Sequence, residues 1–183
     1  MPGWSGPVQR LGPSLRGVRR TGSFDWDTRG VSTEALSVVV EEVAAGVTFP
    51  LRGAVLRPGR PVEIPGDDDP ATIHLAARTA DGQVVGVVRF HPNPCPWRPD
   101  AVQAWQLRGM ATDPAVRGTG AGRALVVEGL ARVARLGADL VWCDARAEAS
   151  GFYRRMGFRV VTEPYEISPI GPHLGMLIQL QVG

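Results

Sequence analysis

The sequence predicts an α/β domain, strands and helices sharing one core, on three observations. Arg117-Gly-Thr-Gly-Ala-Gly122 sets three glycines at alternate positions. It joins a strand-like run over 102–112, closed by Asp113-Pro114, to an amphipathic helical pattern from Arg123 to Leu136. Upstream, two apolar runs flank Asp81-Gly82, a dipeptide suited to a tight hairpin.

The elements follow in order. Leu36 to Val43, with three consecutive valines, reads as a first strand. Over 47–56, Leu51, Val55 and Leu56 fall at helical spacing before Pro58-Gly59. Positions 58–70 read as a loop whose acidic tip, Asp67-Asp68-Asp69, is expected to be solvated. Strands over 72–79 and 84–90 form the hairpin, and Pro92, Pro94, Pro96 and Pro99 force a stiff, non-helical connection to the next strand. In the helix after the glycines, Leu125, Val126, Leu130, Val133 and Leu136 line one face, with Glu128 and Arg132 paired at i, i+4 on the other. A buried strand over 140–143, a short helix over 147–156 and strands over 158–161 and 174–180 complete the chain.

Composition narrows the functional classes. The 183 residues are enough for a single domain with a real core. Hydrophobic residues at 44% and charged residues at 21% are ordinary for a soluble globular chain. A formal charge of +2 argues for neither nucleic acid nor a membrane surface, and no apolar run approaches the ~20 residues that span a bilayer. Lysine is absent, which removes Schiff-base chemistry. Cys95 and Cys143 form no CxxC pair and His74, His91 and His173 show no metal-site spacing, so neither a disulfide framework nor a metal is expected. Reduced cysteines and the lack of an apolar segment after Arg19-Arg20 point to a cytoplasmic location. Residues 1–30, rich in Gly, Pro, Ser and Arg, read as a disordered tail, with the folded domain over 31–183.

The glycine turn carries the chemistry. Removing side chains between a strand and a helix lets backbone N–H groups converge at the positive end of the helix dipole, a cradle for phosphate or pyrophosphate. A dinucleotide fingerprint fails, because Arg123 or Leu125 stands where its third glycine belongs. A P-loop fails for want of lysine.

Arg117-x-x-Gly120-x-Gly122 after Met110-Ala-Thr-Asp-Pro114 instead resembles the pyrophosphate-binding turn of the GNAT N-acyltransferase superfamily. Phe152-Tyr-Arg-Arg-Met-Gly-Phe158 is similar to a second motif of that family, in the right order and at the right separation. Pro164-Tyr-Glu166 and Gly171-Pro-His-Leu-Gly-Met176 resemble its ElaA-like branch. The resemblance implies a mixed, mostly antiparallel central sheet of six to seven strands flanked by helices. It also implies transfer of an acetyl group from acetyl-CoA to a primary amine, direct in a ternary complex and without metal. The acceptor is then an amine-bearing small molecule or peptide, and members of the family often form homodimers.

By the same resemblance, the amides of Gly118, Thr119, Gly120, Ala121 and Gly122, with Arg117, hold the pyrophosphate. The strand before that turn splays from its neighbour, so backbone groups of Met110, Ala111 and Thr112 pair with the pantetheine arm, and an N–H near Met110 faces the thioester carbonyl. Tyr153 matches the tyrosine that protonates the departing thiolate; a phenol of pKa ~10 beside a thiol of ~8.5 makes that feasible. The strand over 103–112 contains no acid, so the expected bases are His173 and Glu166, with His173 titrating in a useful range. Cys143 reads as packing, with a covalent acetyl-cysteine route as its alternative. Arg108 and Arg123 read as phosphate contacts or plain surface. The missing base on that strand favours one rival, a non-catalytic acyl-CoA-binding module.

Overall fold

Residues 36–181 are described by the computed structural model; the tail expected over 1–30 lies outside them. In chain order the elements are β1 (Val39–Glu42), α1 (Ala45–Leu56), β2 (Ile73–Arg78), β3 (Val84–Pro92), β4 (Ala104–Thr112), α2 (Ala121–Arg135), β5 (Leu140–Arg146), α3 (Ser150–Arg155), β6 (Arg159–Val160), β7 (Tyr165–Ile167) and β8 (Gly171–Gln179). One sheet runs β1-β2-β3-β4-β5-β8-β6, with β7 also paired to β8. Every pairing is antiparallel except β4 with β5. That parallel junction needs a crossover, which α2 supplies.

The mixed, mostly antiparallel sheet matches the expected class, with eight strands among the described residues where six or seven were anticipated. The additional pairings belong to β6 and β7, two and three residues long. Such pieces are too short for alternation to reveal, and both are held by the longer β8. β5 also runs three residues past its apolar stretch, because Asp144, Ala145 and Arg146 stay in register with Gly175, Leu174 and His173.

The helices cover opposite faces. On one, Leu125, Val126 and Val133 of α2 are fully buried against Leu75, Val88 and Phe90. Each such side chain contributes roughly 1.5–3 kcal/mol. Leu136, expected on that face, is instead the exposed residue that caps the helix. Glu128 and Arg132 pair as expected (2.7 Å), and Arg132 also binds Glu42, tying α2 to β1. Gly129 is where α2 meets β3 most closely: a Cβ there would lie 2.1 Å from Cε2 of Phe90.

On the other face, Leu51, Val55 and Leu56 of α1 pack over Ala76, Val87 and Ala111. Beside them lies an ionic cluster that corrects the expectation for Asp67. Far from being a solvated loop tip, Asp67 is buried between two buried arginines. Its Oδ2 accepts from Arg52 Nη1 of α1 and its Oδ1 from Arg89 Nη1 of β3, both at 2.7 Å. The Ile64 amide donates to Oδ2 at 2.8 Å. Burial alone would raise the Asp67 carboxyl; the Ile64 amide and the two guanidiniums outweigh it and hold the group below the usual carboxylate range. His74 Nε2 donates to the Asp67 carbonyl (2.9 Å), leaving Nδ1 to accept from Arg52. Burial keeps His74 below its ordinary value, so it stays neutral and the cluster carries a net positive charge.

Two stability predictions follow from this packing. Gly129→Ala gains about 1 kcal/mol of helix propensity, but overpacking against Phe90 costs ~1–3 kcal/mol and prevails. The variant should melt lower, and Phe90→Leu in the same background should recover part of the loss. Asp67→Asn leaves two buried guanidiniums short of a counter-charge and should cost ~3–5 kcal/mol in denaturant unfolding. Because the folded pKa of Asp67 is depressed, its contribution is present above its unfolded pKa of ~3.9 and lost as pH falls through the lower folded value. Acid titration of stability should therefore fall less steeply in Asp67→Asn than in the parent.

Candidate active site

β4 and β5 pair through only three positions, Ala104 with Leu140, Trp105 with Val141 and Gln106 with Trp142. Beyond Gln106 each strand keeps its outer neighbour but loses the other. β4 stays with β3 as far as Thr112, and β5 stays with β8 as far as Arg146. The cause lies in β4. The β3–β4 register shifts between Val87 and Arg89, so that Gly109 and Met110 stand where Val88 has one place, with Gly109 at φ +59°. A bulge of this kind sharpens the local twist and turns the strand aside. The backbone edge from Leu107 to Thr112 therefore faces an open wedge at the carboxyl ends of two parallel strands, where ligands of α/β sheets bind.

The glycine turn stands at the end of that wedge. Asp113 closes β4 and accepts from the Ala115 amide at 2.9 Å, starting a single 3-10 turn over Pro114–Val116. Gly118 and Gly120 follow at φ +83° and +100°; Gly120 is the N-cap of α2, in the left-handed conformation that glycine tolerates. The first intrahelical bond runs from Ala124 to the Gly120 carbonyl at 2.9 Å. The amides of Ala121 and Gly122 thus have no intrahelical acceptor and point out of the helix start. Among the described residues, a Cβ placed on Gly118 or Gly120 would meet nothing within 4 Å. Gly122 abuts Met110 and Thr112, a Cβ there lying 3.1 Å from Met110 Cε, which joins turn and wedge into one surface.

Tyr153 completes the α2 side of the wedge. It lies on α3, buried edge-on between Phe152 and Phe158, with its hydroxyl 3.6 Å from Met110 Sδ. Burial, reinforced by Cys143, raises its phenol well above the ordinary 10 and keeps it protonated. Cys143 is buried in the same core, and burial raises its thiol too. A thiol so held supplies little thiolate, which disfavours the acetyl-cysteine route.

The opposite face of the wedge is polar. Arg108 stands directly across from Arg89 in the β3–β4 ladder and shares its face, the α1 side. It therefore points away from the glycine turn, against the expectation of a phosphate contact. On the facing strand, Asp144 is the hub of a hydrogen-bonded chain. Asn93 Nδ2 donates to Gln106 Oε1 (3.0 Å), Gln106 Nε2 to Asp144 Oδ2 (3.0 Å), and Tyr165 OH to Asp144 Oδ1 (2.5 Å). Burial and the bond to Asp144 raise the Tyr165 phenol, so it remains the donor. His91, with its Nδ1 unpartnered, is pushed down to about 4 by burial and by Arg89 and Arg108.

Of the bases anticipated, His173 lies on this polar face, buried on β8 across from Tyr165. Its Nδ1 bonds the Gly171 carbonyl at 2.7 Å. A carbonyl only accepts, so Nδ1 is the donor, and in the neutral ring the lone pair then lies on Nε2. Glu166 is the neighbour of Tyr165 along β7, exposed and facing the other way, so it is not brought together with His173. Met110, Ala111, Thr112, Arg117 and the 118–122 turn do gather around one wedge with Tyr153. Sequence reading overlooked Asp144 and Tyr165. The available signal was an acid at the first position after a buried strand, where parallel strands present their carboxyl ends.

Comparisons with known proteins agree with this geometry. Residues 70–160 match the model of the acetyltransferase (GNAT) domain family. The chain is 31% identical over 140 residues to the uncharacterized N-acetyltransferase YitI of Bacillus subtilis (strain 168), spanning 75% of this chain and 93% of YitI. Among solved structures, Escherichia coli ElaA superposes with a TM-score of 0.58 at 22% identity, covering 77% of this chain and 99% of ElaA. The E. coli GNAT protein YhbS, crystallised with CoA, superposes at 0.62 with 22% identity, covering 82% and 85%. Split sheet, glycine turn and relatives lead to one conclusion: the chain belongs to the GNAT acetyltransferase family.

Proposed function

We propose that this acyltransferase moves an acetyl group from acetyl-CoA to a primary amine by direct transfer within a ternary complex. The observation that carries the reading is the open β4 edge, with the glycine turn and the Ala121 and Gly122 amides at one end and the Tyr153 hydroxyl directed at Met110. YhbS, which shares the fold, binds CoA. When bound, acetyl-CoA supplies the activated acetyl thioester; this chain's residues do the rest.

The amides of Gly118 to Gly122 and of the first turn of α2, with Arg117, hold the pyrophosphate, favoured by the helix dipole and needing no metal. Backbone groups of Met110, Ala111 and Thr112 pair with the amides of the pantetheine arm, strand against strand. An N–H near Met110 donates to the carbonyl oxygen as charge develops there. Tyr153 donates to the departing sulfur. Its raised pKa makes it a weaker acid, but the same dry surroundings also make a thiolate a stronger base, so the donor and acceptor remain matched. On the polar face, Nε2 of His173 takes the proton that an alkylammonium, pKa ~10.4, must lose before attack.

The test is made in two steps on the full chain. Calorimetry should register acetyl-CoA binding; its absence removes the reading. Tyr153→Phe should then lower kcat by roughly 100-fold or more, with the acetyl-CoA Kd changed less than about twofold. Equal losses in both would make Tyr153 a packing residue. Acetyl-CoA binding without turnover of any amine would identify a binding module instead.

A further inference from the structure

The polar face of the wedge carries two opposite charges at its opening. Gln106 and Trp142 form the last β4–β5 pair, and two residues further on each strand stand Arg108 and Asp144, the first same-face residues past the split. They form no ion pair with each other; Asp144 is engaged by Tyr165 and Gln106. The Arg108 side chain makes no hydrogen bond or ion pair among the described residues, and of the charges acting on it Arg89 is the strongest, ahead of Asp144, Arg57 and Asp67. Arg89 is its direct cross-strand partner, and Arg52 shares Asp67 with Arg89, so a single carboxylate serves two guanidiniums behind an exposed third. Although its tip reaches water, the surrounding wall and then Arg89 hold the Arg108 guanidinium below its ordinary value, with Asp144 opposing. An anion against Arg108 relieves that repulsion and finds a planar fork of donors. Asp144, whose two oxygens each accept one bond from the protein, keeps lone pairs for a cation.

Taking the acyl-transfer reading as its basis, we infer that the acceptor is an amine that also carries an acidic group, carboxylate or phosphate. The acid lies on Arg108 and the ammonium approaches Asp144, held in place by Tyr165 and Gln106. The two charges sit on facing strands that diverge, so the spacing between amine and acid in the substrate is set by the width of the wedge. Arg108 and Asp144 thereby select the acceptor, while Tyr153 and the glycine turn, on the other side of the sheet, are untouched by the choice.

The experiment measures thiol release from acetyl-CoA with matched acceptors: amino acids of increasing amine-to-carboxylate spacing, their carboxamides, phosphoethanolamine, and polyamines. Acetyl-CoA affinity is measured in parallel by calorimetry. The expected result is kcat/KM at least tenfold higher for an acid-bearing amine than for its uncharged counterpart, with the phosphate arm separating the two acids. Arg108→Gln should erase that preference through KM, leaving acetyl-CoA affinity and the rates with carboxamides within about threefold. Arg108→Glu should shift preference toward the polyamines. Asp144→Asn should raise KM for every amine, and its melting temperature separates loss of recognition from loss of fold. Equal rates for acid and carboxamide, or a polyamine preference in the parent, overturn the inference and leave acyl transfer standing. Failure of acetyl-CoA to bind, or binding with no acceptor turned over, overturns both.

Discussion

Three residue pairs hold β4 to β5, and the rest of the molecule is arranged around that brevity. A parallel ladder left to itself would continue, since both strands run on and both have unspent backbone groups. It stops because each strand is committed to its outer neighbour, β4 to β3 through a bulge that adds twist and β5 to β8 in unbroken register. The two halves of the sheet are thus each paired outward and joined along a narrow seam, over one shared core. An open strand edge within a sheet is ordinarily a hazard. Here it is enclosed by two faces of different character, which lets one wedge host two chemistries.

Those faces divide the work by dielectric. Toward α2 and α3 the wedge is dry and aromatic, and the phenol of Tyr153 is held neutral by burial. Toward α1 it is polar and charged, with Arg89, Arg108, Asp144, Tyr165 and His173 on a single side of the strands. Alternation of side chains along β4 and β5 makes the separation automatic: neighbouring residues serve opposite faces. The bulge at Gly109 and Met110 preserves it, placing Met110 and Thr112 beside Gly122 while Arg108 stays on the other side.

Much of this was legible in the sequence where local chemistry is decisive. The hairpin at Asp81-Gly82, the apolar face of α2 and the glycine turn with its acidic corner follow from positive-φ demand, 3.6-residue periodicity and capping. The Tyr153 motif was readable as well, because resemblance placed it beside the turn. What escaped was set by tertiary pairing. Asp67 looks like its neighbours Asp68 and Asp69 until the fold brings Arg52 and Arg89 to it. Asp144 to Arg146 carry no strand signal of their own and are strand only because β8 holds them. The split itself is invisible in either strand alone, since it is a property of their relation, and only the family resemblance implied it.

The ionic clamp on Asp67 also determines how the molecule can loosen. α1 has a proline within it and is twelve residues long, which would make it a natural candidate for local fraying. Its Arg52, however, cannot leave without breaking its buried bonds to Asp67 and His74 and opening the cluster to water. Independent opening of α1 is therefore as costly as exposing part of the β2–β3–β4 core, and the helix belongs to the same cooperative unit as those strands. Its amide protons are accordingly expected to exchange on the timescale of the central sheet.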